Sequence, residues 1–117
     1  EEIHFDYSLW YLRRESRERL QTVIDIMKKN PSMIIEIGTH TDIRGNGNYN
    51  KDLSQKRADS AKEFLVKNGI ASGRILSKGY GESKPIVVCP TEDACSEEDH
   101  EWNRRCEFVV VGWDYDK

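Results

Sequence analysis

Met33-Ile34-Ile35-Glu36-Ile37-Gly38-Thr39 is apolar and β-branched with one acid interposed, which predicts a strand. It runs through His40 into a polar loop, Thr41 to Tyr49, that carries Asp42, Gly45, Asn46, Gly47 and Asn48. Glycine and asparagine tolerate tight turns and positive φ, so the chain turns here. A helix is then predicted from about Asn50, a good N-cap, to Asn68-Gly69, a good C-cap. Leu53, Ala61, Phe64 and Leu65 supply its buried side. A polar loop between the end of a strand and the start of a helix is where α/β folds place ligands.

Working outward, Ile3-His4-Phe5-Asp6-Tyr7 alternates apolar and polar residues and reads as a short strand. A helix follows from Leu9 or Leu12 to Lys29, in which Leu20, Val23, Ile24 and Met27 make one apolar stripe. Lys28 and Lys29 suit its C-terminal end and Asn30-Pro31 stops it. Arg74 to Tyr80 predicts a third strand, and residues 81–103 a long loop in which Ser96-Glu97-Glu98-Asp99 opens a short helix. Cys106 to Trp113 is a near-continuous apolar strand, expected in a central position covered on both faces. The order strand, helix, strand, helix, strand, long loop, strand gives a βαβαβ-β chain. It is an α/β (α+β) two-layer sandwich with both main helices on one face of a mixed sheet.

The 117 residues fit a single domain, 1–117. One third of the residues are charged, yet three Trp, five Tyr and three Phe supply core anchors, which argues against global disorder. The net charge of −3 lacks the basic excess of a nucleic-acid binder. No apolar run approaches the roughly 20 residues of a membrane-spanning helix. The chain opens on Glu1-Glu2 with no signal peptide, as expected of a domain excised from a larger protein.

Asp42 and Arg57 are the charged pair that the topology brings to one end of the sheet. They can pair with each other, or they can hold a zwitterion, Asp42 taking an ammonium and Arg57 a carboxylate in a bidentate fork. His40 and Asp42, with His100 as a third ligand, offer a weaker metal reading beside that of a hydrogen-bonded structural histidine. The short spacing of Cys89 and Cys95 suggests a loop disulfide with Cys106 buried, against three free thiols in a reducing compartment. One of Arg104 and Arg105 is expected to be buried on a carboxylate that supports the Asp42 loop, with Asn103 bracing the same turn. Trp10 and Trp113 read as core or domain-end packing rather than a sugar platform. No serine or cysteine has a base placed beside it, so a hydrolase is disfavoured.

Ile35-Glu36-Ile37-Gly38-Thr39-His40-Thr41-Asp42, Gly45, Tyr49-Asn50, Leu53-Ser54, Arg57-Ala58, Gly79-Tyr80-Gly81-Glu82 and Asn103-Arg104-Arg105, in that order, resemble the OmpA-like peptidoglycan-binding domain. That family includes the periplasmic domains of OmpA, Pal and MotB. The cysteine loop and the acidic run after it look like the variant found in outer-membrane proteins of Bacteroidetes. The resemblance implies a non-catalytic wall anchor with no cofactor and no metal. It also implies a periplasmic location in a Gram-negative bacterium, within a larger outer-membrane protein or lipoprotein. Its partner would be peptidoglycan, held by the diaminopimelate of the stem peptide on Asp42 and Arg57. Asn50 would stand at the pocket rim, and Thr41 and Asn46 on the loop that adds backbone contacts. A protein-interaction adaptor of the same fold is the alternative. Two departures stand out: Thr39 where the family often has Gly, expected to add a side chain near the pocket, and Cys106 where Val, Thr or Ser is usual.

Overall fold

The computed structural model describes Glu2–His4 and residues 14–115, with side chains from residue 18 onward. The elements are β1 (Glu2–His4), α1 (Arg14–Lys29), β2 (Ile34–His40), α2 (Gly47–Lys67), β3 (Ile75–Gly81), α3 (Glu97–Asn103) and β4 (Arg105–Gly112). The described strands form a mixed sheet in the order β1-β4-β2-β3. β2 pairs parallel with β3 and antiparallel with β4, and β1 pairs antiparallel with β4. This is the expected α+β arrangement of helices packed on a mixed sheet. Phe5, Asp6 and Tyr7 of the expected first strand, Trp10, and the expected start of the first helix at Leu9 or Leu12 lie outside the described residues.

The core is where the stripe of α1 meets the sheet. Leu20, Val23, Ile24 and Met27 are buried against Met33, Ile35, Ile37, Ile75 and Cys106, with Ala61 and Leu65 of α2 closing the layer. Each of the larger apolar side chains contributes roughly 1.5–3 kcal/mol by leaving water, so this cluster is the main source of stability. Asn30 ends α1 by bonding its side-chain N–H to the Ile26 carbonyl. Arg74, expected in the third strand, instead sits in the 3-10 turn just before it. From there its buried guanidinium donates to the carbonyls of Met27 and Asn30 at the end of α1 and of Met33 just before β2, pinning the turn between them.

Three further expectations are corrected. Asn50 is not the N-cap of α2. Asn46 is, its side-chain oxygen accepting from the N–H groups of Asn48 and Tyr49, so the helix opens earlier and Asn50 turns inward. β4 is central in pairing order but is not covered on both faces. β1 pairs with Arg105–Glu107 along its edge, and Val109, Val110 and Val111 are exposed. Trp113, at the end of that strand, is half exposed and does not join the core.

α2 also seals the outer edge of β3. Gln55 accepts from the Gly79 N–H and donates to the Ser77 carbonyl, and the Ser54 hydroxyl accepts from the Gly81 N–H. Backbone groups that would otherwise invite another strand are thereby satisfied. The Thr39 hydroxyl donates to the Ser54 carbonyl. Its side chain is therefore buried under α2 as a strand-to-helix tie, two residues before Thr41. Among the described residues no helix is long and apolar enough to cross a membrane.

Candidate functional site

β2 ends at His40, and the Asp42 turn begins two residues later. The Asp42 carboxylate accepts the Arg44 N–H at 2.9 Å, a turn closed by a side chain on the backbone two residues ahead. Arg44 folds back and donates through Nη2 to Asp42 Oδ2 at 2.8 Å. Arg104, at the junction of α3 and β4, donates through Nη1 to the same oxygen at 3.0 Å. Both arginines continue to one further carboxylate: Arg44 Nη1 reaches Glu97 Oε2 at 2.7 Å and Arg104 Nη2 reaches Glu97 Oε1 at 2.9 Å. Asp42, Arg44, Glu97 and Arg104 thus close a ring of alternating charge, drawn from the loop after β2 and from both ends of α3.

The two acids differ sharply in solvation. The Asp42 side chain is 1% exposed and that of Glu97 63%. Burial alone would raise the Asp42 pKa, but hydrogen bonds from Arg44 and Arg104 outweigh it and hold the carboxyl below its ordinary range. The same two arginines, Arg104 first, lower the pKa of Glu97. Asp42, with Glu97 behind it, keeps Arg44 firmly protonated against its partial burial.

Asn50 ties this turn to α2, its Nδ2 donating to the carbonyls of Asp42 at 3.3 Å and Arg44 at 3.0 Å. Arg57 lies two turns further along the same buried side of α2 and is wholly enclosed. Thr41, beside Asp42, is 5% exposed and its hydroxyl has no hydrogen-bond partner among the described residues. Asn46 is exposed and occupied with capping α2. Asn103 braces a different turn from the one expected. Its side chain accepts from the N–H groups of Ile86 and Val87 and donates to the Val87 carbonyl.

His40 and His100 are each engaged separately. His40 Nε2 is 2.9 Å from Glu107 Oε1, and its ring stacks on Tyr80 at 5.0 Å. Burial and the neighbouring Arg105 push its pKa down to about 4 against the pull of Glu107, so it is neutral at physiological pH. His100 Nε2 lies 3.0 Å from the Glu92 carbonyl. Glu92 in turn accepts the N–H of Gly45, whose φ of 89° is one that L side chains rarely adopt.

Glu92 belongs to the short ring closed by the Cys89–Cys95 disulfide, which the structure contains as expected. Cys106 is free and buried, and burial raises its pKa far above the range in which thiolates form. Reduction of Cys89–Cys95 is expected to lower stability by about 2 kcal/mol, given so small a ring. Thermal unfolding with and without reductant checks this, and Cys106 should stay unlabelled by a thiol reagent until the protein unfolds.

Arg44, Glu97 and Glu92 escaped the sequence reading. Arg44 carried a signal, since an Asp two residues before an arginine in a glycine loop is a turn former. Glu97 lies 53 residues from Arg44, a pairing that no local pattern discloses.

The sequence is similar to outer membrane porin F of Pseudomonas fluorescens, 37% identical over 109 residues, which covers 93% of this chain and 32% of the porin. It is 30% identical over 110 residues to the peptidoglycan-associated lipoprotein of Brucella melitensis, covering 94% of the chain and 62% of the lipoprotein. The chain therefore spans about a third of one relative and less than two thirds of the other. The crystal structure of the peptidoglycan-associated lipoprotein from Burkholderia pseudomallei superposes with a TM-score of 0.84 at 26% identity, covering 94% of this chain and 89% of that one. These relatives are structural or binding proteins and not enzymes. With residues 4–98 matching the OmpA family model, and with this fold, the chain belongs to the OmpA family.

Proposed function

We propose that the domain binds peptidoglycan without covalent chemistry, holding the diaminopimelate of a stem peptide at the end of β2. The observation that carries this is a polar group buried with nothing to bond. The Thr41 hydroxyl is buried and stands without a partner among the described residues, beside an ionised carboxylate just past the end of β2. A buried hydroxyl left unsatisfied costs stability, and a ligand that bonds to it recovers that cost. Asp42 supplies negative charge for the ligand's ammonium and Arg57 a guanidinium for its carboxylate. Both are enclosed, so the ligand reaches them only once the Asp42 turn and the Arg44 side chain over it move aside, and Asn50 ties that turn to α2. Membership of a family with peptidoglycan-associated lipoproteins supports the reading.

In this reading the domain works in the periplasm, as part of a longer protein associated with the outer membrane. One site grips modestly, but a cross-linked wall presents many stems, so retention comes from effective concentration.

Calorimetric or NMR titration with a diaminopimelate stem peptide, beside a lysine-stem peptide, tests the proposal. Saturable binding of the first and weaker binding of the second are expected. Arg57→Lys should weaken binding roughly tenfold or more, because a point charge does not replace a planar fork. Wild-type affinity in that variant would sink the bidentate contact. Failure of the folded wild-type domain to bind either peptide would move the function to a protein-interaction adaptor.

A further inference from the structure

The ring of alternating charge contains one member that solvent can reach and one that it cannot. Asp42 is fixed by three donors, the Arg44 N–H, Arg44 Nη2 and Arg104 Nη1, and its side chain is enclosed. Glu97 hangs from the first residue of α3 with most of its side chain in water, tethered only through its two carboxylate oxygens, one to each arginine. A carboxylate bridging two guanidiniums at a surface is the geometry in which proteins receive an external carboxylate. Here the chain supplies that carboxylate itself.

We propose that Arg44 and Arg104 form a second carboxylate seat that Glu97 occupies in the free protein and vacates for a carboxylate of the ligand. This rests on the reading of Asp42 and its loop as a binding site and adds a specificity element to it. The exchange is electroneutral, with one anion leaving the two arginines and another arriving, so the ring remains balanced with Asp42 in place. What is lost is two ion pairs, one on the partly exposed Arg44 and one on the buried Arg104, and the arriving carboxylate replaces both while Glu97, already mostly in water, regains full hydration. Thr41, whose buried hydroxyl has no hydrogen-bond partner among the described residues, lies one residue from Asp42 at the same end of the sheet.

Two consequences distinguish the device from a structural salt bridge. Ligands with a carboxylate to spare gain an added contact, and ligands without one leave Glu97 where it is. Glu97 therefore tunes which stems are held, and it also lowers affinity by competing for the seat. Glu97→Gln keeps the shape of the side chain and removes the competing charge.

The test compares wild-type and Glu97→Gln domains, both shown folded by their unfolding transitions, in titration with the diaminopimelate stem peptide and with the lysine-stem peptide. The proposal expects Glu97→Gln to bind the diaminopimelate peptide several-fold more tightly, with a smaller change for the lysine peptide. Unchanged or weaker binding of the diaminopimelate peptide by the folded variant overturns it while leaving the peptidoglycan reading intact. If neither protein binds a stem peptide, that reading fails and the seat is judged with glutarate alone, followed by the NMR signals of the arginine Nε–H groups. A saturable shift in Glu97→Gln at concentrations that leave the wild type unmoved supports the seat, and equal or absent shifts overturn it.

Discussion

Asp42→Ala is expected to destabilise the domain by about 3 kcal/mol as well as to abolish ligand binding. The substitution removes a buried acceptor that satisfies three donors, two of them on guanidiniums that cannot lose their charge. The cost stays near the low end for a broken buried pair because Glu97 continues to hold both arginines from the solvent side. Urea unfolding of the variant checks the value, and a loss under 1 kcal/mol would show that the ring does not organise the loop.

The effect has a pH signature. The folded pKa of Asp42 lies below its ordinary 3.8, so its contribution is present above about pH 4 and is lost as pH falls through the folded value. Asp42→Asn should flatten that acid limb. His40 acts in a different window. With its pKa lowered from 6.5 to about 4, it costs stability as pH falls between those values, and that part of the profile should survive in Asp42→Asn.

Gly79→Ala should be still more damaging, with a loss of about 3 kcal/mol or more and a largely unfolded protein as the outcome. A Cβ at this position would lie 2.2 Å from the Gln55 nitrogen and 2.6 Å from its Cα. Those are backbone atoms of α2, so no side chain can swing aside. The helix has to lift from the β3 edge, which breaks the bonds from Gln55 and Ser54 that seal it. The contrast is Gly47→Ala, where the nearest atom is the carboxylate end of Glu82 at 3.3 Å, the far end of a flexible side chain. Circular dichroism melts of the two variants should differ by far more than their shared chemistry suggests, and equal melts would refute the close-approach account.

The elements that the sequence made legible are those specified locally. The stripe Leu20, Val23, Ile24 and Met27 has a helical period, and the structure buries all four. Cys106 was expected to be buried and is. Ser96 opens α3 through a capping box with Asp99, a signal written within four residues. Misreadings arose where two local solutions were equally good or where coverage depended on distant chain. Asn46 and Asn50 are both sound N-caps, and nothing local says that the second is wanted inside to hold the Asp42 turn. The apolar run of β4 looks like a strand buried on both faces, yet Val109, Val110 and Val111 at its far end are exposed. At the site, Asp42 was visible from its place after a strand and Arg104 from the arginine pair expected to support that loop, whereas Arg44 and Glu97 were not foreseen and Glu97 comes from another helix altogether.

The charge ring joins segments that lie far apart along the chain. Asp42 and Arg104 are 62 residues apart in sequence, and the Arg44–Glu97 pair spans 53. Closing spans of that length carries a chain-entropy cost that is met only once the packed core has drawn the segments together. A chain that has formed α1, β2 and α2 already carries Asp42, Arg57 and Asn50, but not Glu97 and Arg104, which close the ring. In the proposed function the site is thus complete only when these long-range contacts have formed, and a truncation before α3 would leave it half built.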